Sequence, residues 1–137
     1  MLKTALAPLV IILSGCSGSG IYPVQGQVTW NDGSPAKEIA GSLIMFEQAE
    51  KHMSARGQIQ PDGSFRLTSV KENDGATTGE HTVLIIEVGR KHLGGPDSTL
   101  LAPGKIDIRY SSPSTSDLRA TVKPGKNQIT LAVDRAK

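Results

Sequence analysis

Apolar and polar positions alternate through most of this chain. Val24, Gly26, Val28 and Trp30 alternate with Gln25, Gln27 and Thr29, the period of two that sends successive side chains to opposite faces of a strand. Residues 41–47, GSLIMFE, read as a second strand, with Ile44 and Phe46 on one face and Leu43 and Met45 on the other. Ala55, Gly57 and Ile59 alternate with Arg56, Gln58 and Gln60 in a third. In a fourth, Phe65 and Leu67 point inward while Arg66 and Thr68 point outward. Residues 81–88, HTVLIIEV, are almost continuously apolar, as strands covered on both faces are, so this strand is expected at the centre of a sheet. A short strand is expected over 106–110. Leu118, Ala120 and Val122 then alternate with Arg119, Thr121 and Lys123, and Ile129, Leu131 and Val133 close the set.

Turn chemistry separates these segments. NDGSP (31–35) supplies Asp32-Gly33 for a position with φ > 0. PDGS (61–64) has proline first and glycine third and predicts a hairpin between the third and fourth strands. KPGKN (123–127) turns the chain again. Residues 71–80 and 111–117 read as polar connections. Residues 89–105 form a long loop with no period, and loops of that length are often functional or mobile. Seven or eight short strands with no helical pattern predict an all-β protein, an antiparallel β-sandwich. Leu43 and Met45 break the simple inside-and-outside pattern. Either the 89–105 loop covers them or they belong to an exposed contact patch.

The start of the chain has a different character. Lys3 precedes an apolar run from Ala5 to Leu13, interrupted by Pro8, and too short for the roughly 20 residues of a membrane-spanning helix. That is the form of a secretory signal peptide. The run ends in Leu13-Ser14-Gly15-Cys16, and Cys16 is the only cysteine. This order resembles the lipobox of bacterial lipoproteins. The resemblance implies that Leu13, Ser14 and Gly15 are the signal-peptidase recognition residues and that Cys16 is lipidated and becomes the first residue of the mature chain. Its acyl chains would contribute roughly 0.8 kcal/mol per buried methylene. The competing reading is an ordinary secretory signal with an incidental cysteine. Residues 1–15 are thus expected to be a signal peptide, 16–21 a lipidated tether and 22–137 one β-sandwich domain. Ser17, which is not aspartate, implies by the same resemblance the outer membrane, on its periplasmic or surface face.

Charge and chemistry narrow the function. The formal net charge is +2, and no basic stripe with interleaved aromatics appears, so no nucleic-acid partner is expected. His52, His81 and His92 lie in three separate segments without metal-ligand spacing. ENDG (72–75) is only a fragment of a calcium loop. There is no G-x-S-x-G elbow and no phosphate-binding loop. No cofactor, metal or catalytic residue is therefore expected. Arg90, Lys91 and His92 with Lys105 read either as a solvated loop or as a local basic patch. Trp30 reads either as a lid on the core or as a platform for a sugar ring.

YPVQGQVTWNDGSP, GSLIMFE, GQIQPDGSFRLTS, DGATTGEHTVLI and IRYSSPSTSDLRATVKPGKNQITLAV follow in that order. Together they resemble small bacterial lipoproteins with carboxypeptidase regulatory-like or transthyretin-like domains. The resemblance implies a seven-stranded, prealbumin-like Greek-key sandwich and, for most members, an accessory, adhesive or unassigned role. One enzyme branch of that fold hydrolyses 5-hydroxyisourate with histidine and arginine side chains and a C-terminal Tyr-Arg-Gly-Ser. This chain ends in LAVDRAK, so that activity is not carried over. The expectation is a lipid-anchored, non-catalytic envelope module, binding or structural, whose partners are the membrane and an envelope protein or polysaccharide. The alternatives are a small-ligand or metal carrier and a transthyretin-like hydrolase. The first candidate contact surface is the 89–105 loop with Leu43 and Met45, and within that loop Arg90, Lys91 and His92.

Overall fold

The alternating segments become strands with the expected faces turned inward. The computed structural model describes residues 20–137, so Leu13, Ser14, Gly15, the proposed acylation at Cys16 and the 1–15 boundary lie outside the described residues. The strands are β1 (Ile21–Tyr22), β2 (Val24–Trp30), β3 (Leu43–Gln48), β4 (Met53–Gln58), β5 (Ser64–Arg66), β6 (Ala76–Thr77), β7 (Gly79–Ile86), β8 (Arg119–Val122) and β9 (Asn127–Val133). Among the described residues the only helical pieces are 3-10 turns at Lys37–Ile39, Ala49–Lys51 and Ile108–Ser111. The protein is all-β.

Three sheets form, in the orders β5-β2-β9, β4-β3-β7-β8 and β1-β6. The two larger ones share a single core. β2 contributes Val24, Val28 and Trp30, β3 contributes Ile44 and Phe46, and β7 contributes Val83 and Ile85, all nearly inaccessible to solvent. Phe46 of one sheet meets Phe65 of the other with ring centroids 6.1 Å apart. Burying each such side chain contributes about 1.5–3 kcal/mol. β7 lies inside its sheet, between β3 and β8, where its continuous apolar run belongs.

Several expectations are corrected. The pairing is not antiparallel throughout, because β2 and β9 run parallel over seven registered pairs, from Val24↔Asn127 to Trp30↔Val133. Alternation fixes which face of a strand is buried but not the direction of its neighbour. The PDGS turn forms, with Gln60 N–H donating to the Ser64 carbonyl and Gly63 in the left-handed region at φ 84°. Its flanking strands nevertheless part: β4 pairs with β3 and β5 with β2. A single bridge, Arg56↔Thr68, remains between them, and Gly57 is the residue that lets the Arg66 backbone cross close by. The 71–80 loop contains β6, whose Ala76 and Thr77 are buried and pair with Tyr22 and Ile21. Ile21, expected in the tether, is therefore already part of a strand. The segment expected as a strand at 106–110 is instead a 3-10 turn preceded by one bridge, Ile106↔Arg135.

The register also sorts the connections to two ends of the molecule. At one end the chain enters, β2 begins beside the start of β9, and the start of β7 faces the end of β8. At the other end lie the close of β2 and β9, the start of β3 and the close of β7, since Leu43 faces Ile86. Seven residues of β2 separate the two ends, roughly 20 Å.

Candidate functional site

The end opposite the chain's entry carries the long loop, and most of its order comes from its own hydrogen bonds. Leu93 N–H donates to the Leu100 carbonyl at 2.7 Å and Ala102 N–H to the Lys91 carbonyl at 2.8 Å. Arg90 Nε donates to the Ala102 carbonyl at 2.8 Å, and His92 Nδ1 lies 3.0 Å from the Ser98 carbonyl. Gly94 and Gly95, both at positive φ, turn the tip. At the base, Glu87 Oε2 accepts from Lys105 N–H at 2.8 Å. The result is a closed lobe standing on β7.

This lobe exposes several large apolar side chains beside its charged ones. Among the described residues six large hydrophobic side chains are exposed, and five fall within 88–108: Val88, Leu93, Leu100, Leu101 and Ile108. Leu100 is 63% exposed and Ile108 is 65% exposed, an unfavourable display that marks contact surfaces when it is contiguous. Between the lobe, the end of β7 and the C-terminal residues runs a cleft of about 600 Å³, lined among others by Ile86, Arg90, Leu101, Pro103 and Ile108.

The sequence-derived surface maps onto this region only in part. Arg90 is held against the lobe's backbone, while Lys91 and His92 are exposed. Lys105 Nζ donates to the Glu38 carbonyl, and Glu38 and Glu87 line the same shallow cleft as Arg90, Lys91 and Lys105. The basic run therefore sits among carboxylates. Leu43 and Met45 are half-buried on the outer face of their sheet, opposite Ile86 and Leu84 of β7. The exposed apolar side chains are instead those of the lobe. A run without periodicity gives no hint of which of its residues face solvent, which is why they were not legible.

Trp30 is core, not a platform: it is 1% exposed, its Nε1 donates to Glu38 Oε2 at 2.9 Å, and the Arg135 guanidinium lies 4.3 Å from its ring centroid. That indole hydrogen bond above all, then a backbone N–H of its own residue and the Arg135 guanidinium, lower the Glu38 pKa. Next to this pair is a charge cluster that the sequence did not announce. Arg109 pairs with Asp107 at 2.9 Å, Asp117 at 3.4 Å and Asp134 at 2.5 Å. Tyr110, buried, accepts through its hydroxyl from Arg109 and from the Asp134 N–H. Asn31 Nδ2 donates to Asp134. The bond from Arg109 holds the Asp134 carboxyl below its ordinary range, and the same bond raises the guanidinium. Every polar group here has a partner, which makes this a clamp between β9 and the 3-10 turn.

The histidines occupy three different surroundings. His52 ends a 3-10 turn in the left-handed region. His92 belongs to the lobe. His81, in β7, is 1% exposed. It lies 5.6 Å from the Phe46 ring, with Nε2 2.7 Å from the Thr77 carbonyl and Nδ1 without a partner among the described residues. Asp74, the centre of ENDG, accepts from the N–H groups of Ser69, Val70 and Lys71, so its oxygens serve the loop. Among the described residues no group of three or more histidine, cysteine or acidic side chains is arranged to hold a metal ion, and no helix is long and apolar enough to cross a membrane.

Compared with family models, curated proteins and solved structures, the chain gives no match.

Proposed function

We propose that this protein is a non-catalytic binding module, held at the cell envelope by a lipid on Cys16, that presents its 88–108 lobe to another envelope protein. The observation that carries this reading is the concentration of exposed apolar side chains at the end away from the chain's entry. A tether at one end and an adhesive surface at the other suit a domain that stands on a membrane and reaches outward. The lobe's apolar character favours a protein surface as its partner. The two larger sheets, with their parallel β2–β9 pair and the β4–β5 crossing, support reading the fold as a seven-stranded, prealbumin-like Greek-key sandwich, in line with the transthyretin-like resemblance. The LSGC run supports the lipid anchor and, with Ser17, the outer membrane.

Two comparisons test this. Intact mass and membrane fractionation of wild type beside Cys16→Ala should give a chain that begins at Cys16, carries acyl mass and pellets with membrane only in the wild type. An unacylated, soluble wild type overturns the anchor. Cross-linking in cells should then join the wild type to a partner protein, and Leu100→Ser with Ile108→Ser should abolish that product while leaving the thermal midpoint unchanged. Both residues are exposed, so the fold does not depend on them. A product that survives both substitutions overturns the lobe as the contact.

A further inference from the structure

The chain contains six glutamines. Five of them, Gln25, Gln27, Gln58, Gln60 and Gln128, line one cleft of about 570 Å³. They come from three distant stretches of sequence and meet only because the fold assembles them. On the outer face of the three-stranded sheet, Gln25 lies between Arg66 of β5 and Gln128 of β9, and Gln27 lies between Ser64 and Thr130. Gln58 and Gln60 close the side where β4 crosses β5. Thr68 and Asn73 extend the rim.

This surface is unusual in its charge. One residue in five of the chain is charged, yet the cleft is lined by one cation, Arg66, and one anion, Glu72. Its chemistry is that of amides and hydroxyls, each able to donate and accept. Several amides are already oriented. Gln27 Nε2 donates to the Asp62 carbonyl and Gln58 Nε2 to the Gly41 carbonyl, which leaves their Oε1 atoms as acceptors. Gln25 and Gln128 make no side-chain hydrogen bond among the described residues. Outward positions along a strand repeat about every 7 Å, and neighbouring strands lie about 4.8 Å apart. The amides thus stand on a grid the size of a sugar ring.

We propose that this face binds a polysaccharide strand through the hydroxyl and acetamide groups of its sugars. An extended peptide fits less well. The cleft offers no apolar pocket for side chains, because Phe65 is the sole large hydrophobic residue lining it and is itself buried, and side-chain pockets are what give strand-like peptide recognition its selectivity. A polyanion fits less well too, with a single arginine to meet it. Without an exposed aromatic platform, recognition rests on many individually modest hydrogen bonds, so binding is weak for one sugar and grows with the length of the strand. The site lies on a sheet face apart from the apolar lobe, so a glycan and a protein partner can be held together. The inference deepens the reading of this protein as an envelope binding module.

The test uses the mature, lipidated protein in detergent micelles, labelled with ¹⁵N in its glutamine side chains. It is titrated separately with N-acetylglucosamine tetramer, maltotetraose and an uncharged glycine–serine peptide. With a sugar, the amide signals of the five cleft glutamines should shift together and saturate. The signal of the buried Gln48 should stay in place. Gln25→Ala with Gln128→Ala should weaken binding about tenfold. A response to the N-acetylated tetramer alone assigns recognition to the acetamide, and a response to both sugars assigns it to the hydroxyls. The proposal is overturned if no cleft signal moves with either sugar, if only the peptide moves them, or if the double substitution leaves the titration unchanged. Acylation of Cys16 is read separately by mass, so a failed anchor and a failed glycan site are told apart.

Discussion

Gly26 sits where the backbone leaves no room for a side chain. A Cβ there would lie 2.1 Å from the Ile129 carbonyl oxygen and 2.6 Å from Phe65 Cζ. Neither neighbour is free to move, since one is the paired backbone of β9 and the other a ring packed between the sheets. Gly26→Ala should therefore cost about 3 kcal/mol or more in urea unfolding, the upper range for overpacking. Gly33→Ala is the comparison, since a Cβ there meets nothing and the cost is only the strain of its positive φ, about 1–2 kcal/mol. Equal losses would mean that the packing over Gly26 is wrong. In the sequence, Gly26 was legible as an inward position of an alternating strand. Its close approach was not, because Ile129 lies more than a hundred residues away along the chain.

Among the elements, the segment after Pro103 departs furthest from its sequence. Ile106-Asp107-Ile108 alternates as a strand does, but Asp107 accepts from the Arg109 N–H at 3.0 Å and starts a 3-10 turn instead. Local bonds of this kind compete with strand pairing. The turn buries Tyr110 and sets Arg109 among Asp107, Asp117 and Asp134. Arg109→Ala would leave three carboxylates facing one another. The sign of its pH dependence follows from Asp134, whose folded pKa is depressed by Arg109 below the ordinary 3.8. The stability this pair contributes is present above that value and lost as pH falls through the folded pKa. The thermal midpoint of Arg109→Ala should thus fall clearly below wild type at about pH 7, and the gap should narrow at about pH 3. A gap that stays constant with pH would assign the loss to packing of the arginine stem. The β2, β3, β7 and β9 strands, by contrast, were legible in place and in buried face, with ends within two residues, because each buries one face or both. The apolar character of the 88–108 lobe, whose loop the sequence did single out, and the glutamine cleft were not. The first has no period, and the second is written on outward positions that alternation treats as generic polar surface.

Taken as one cooperative unit, the molecule carries a built-in sensitivity to acid. His81 is sealed in the shared core. Burial above all, and Lys51 nearby, lower its pKa below 6.5, outweighing the Thr77 carbonyl that favours the charged form. The unfolded chain takes up the proton first as pH drops, so stability is full above about pH 6.5 and falls as pH decreases through the folded pKa. Urea midpoints should therefore decline from about pH 7.5 to about pH 5 in the wild type, and His81→Leu should remove most of that slope. A wild-type slope retained in the variant would place the titrating group elsewhere.

The parallel pairing of β2 with β9 also governs how the domain bears load. β2 begins at the end where the chain enters, and β9 finishes at the opposite end. A pull between the start of β2 and the close of β9 therefore drags the two strands along each other. All seven registered pairs resist at once, like rivets in a lap joint. Had β9 run the other way, its C-terminal end would lie beside the start of β2, and a pull between those two ends would peel the joint open one bond at a time. The direction of that one pairing decides whether the domain, stretched between those two ends, yields by sliding or by peeling.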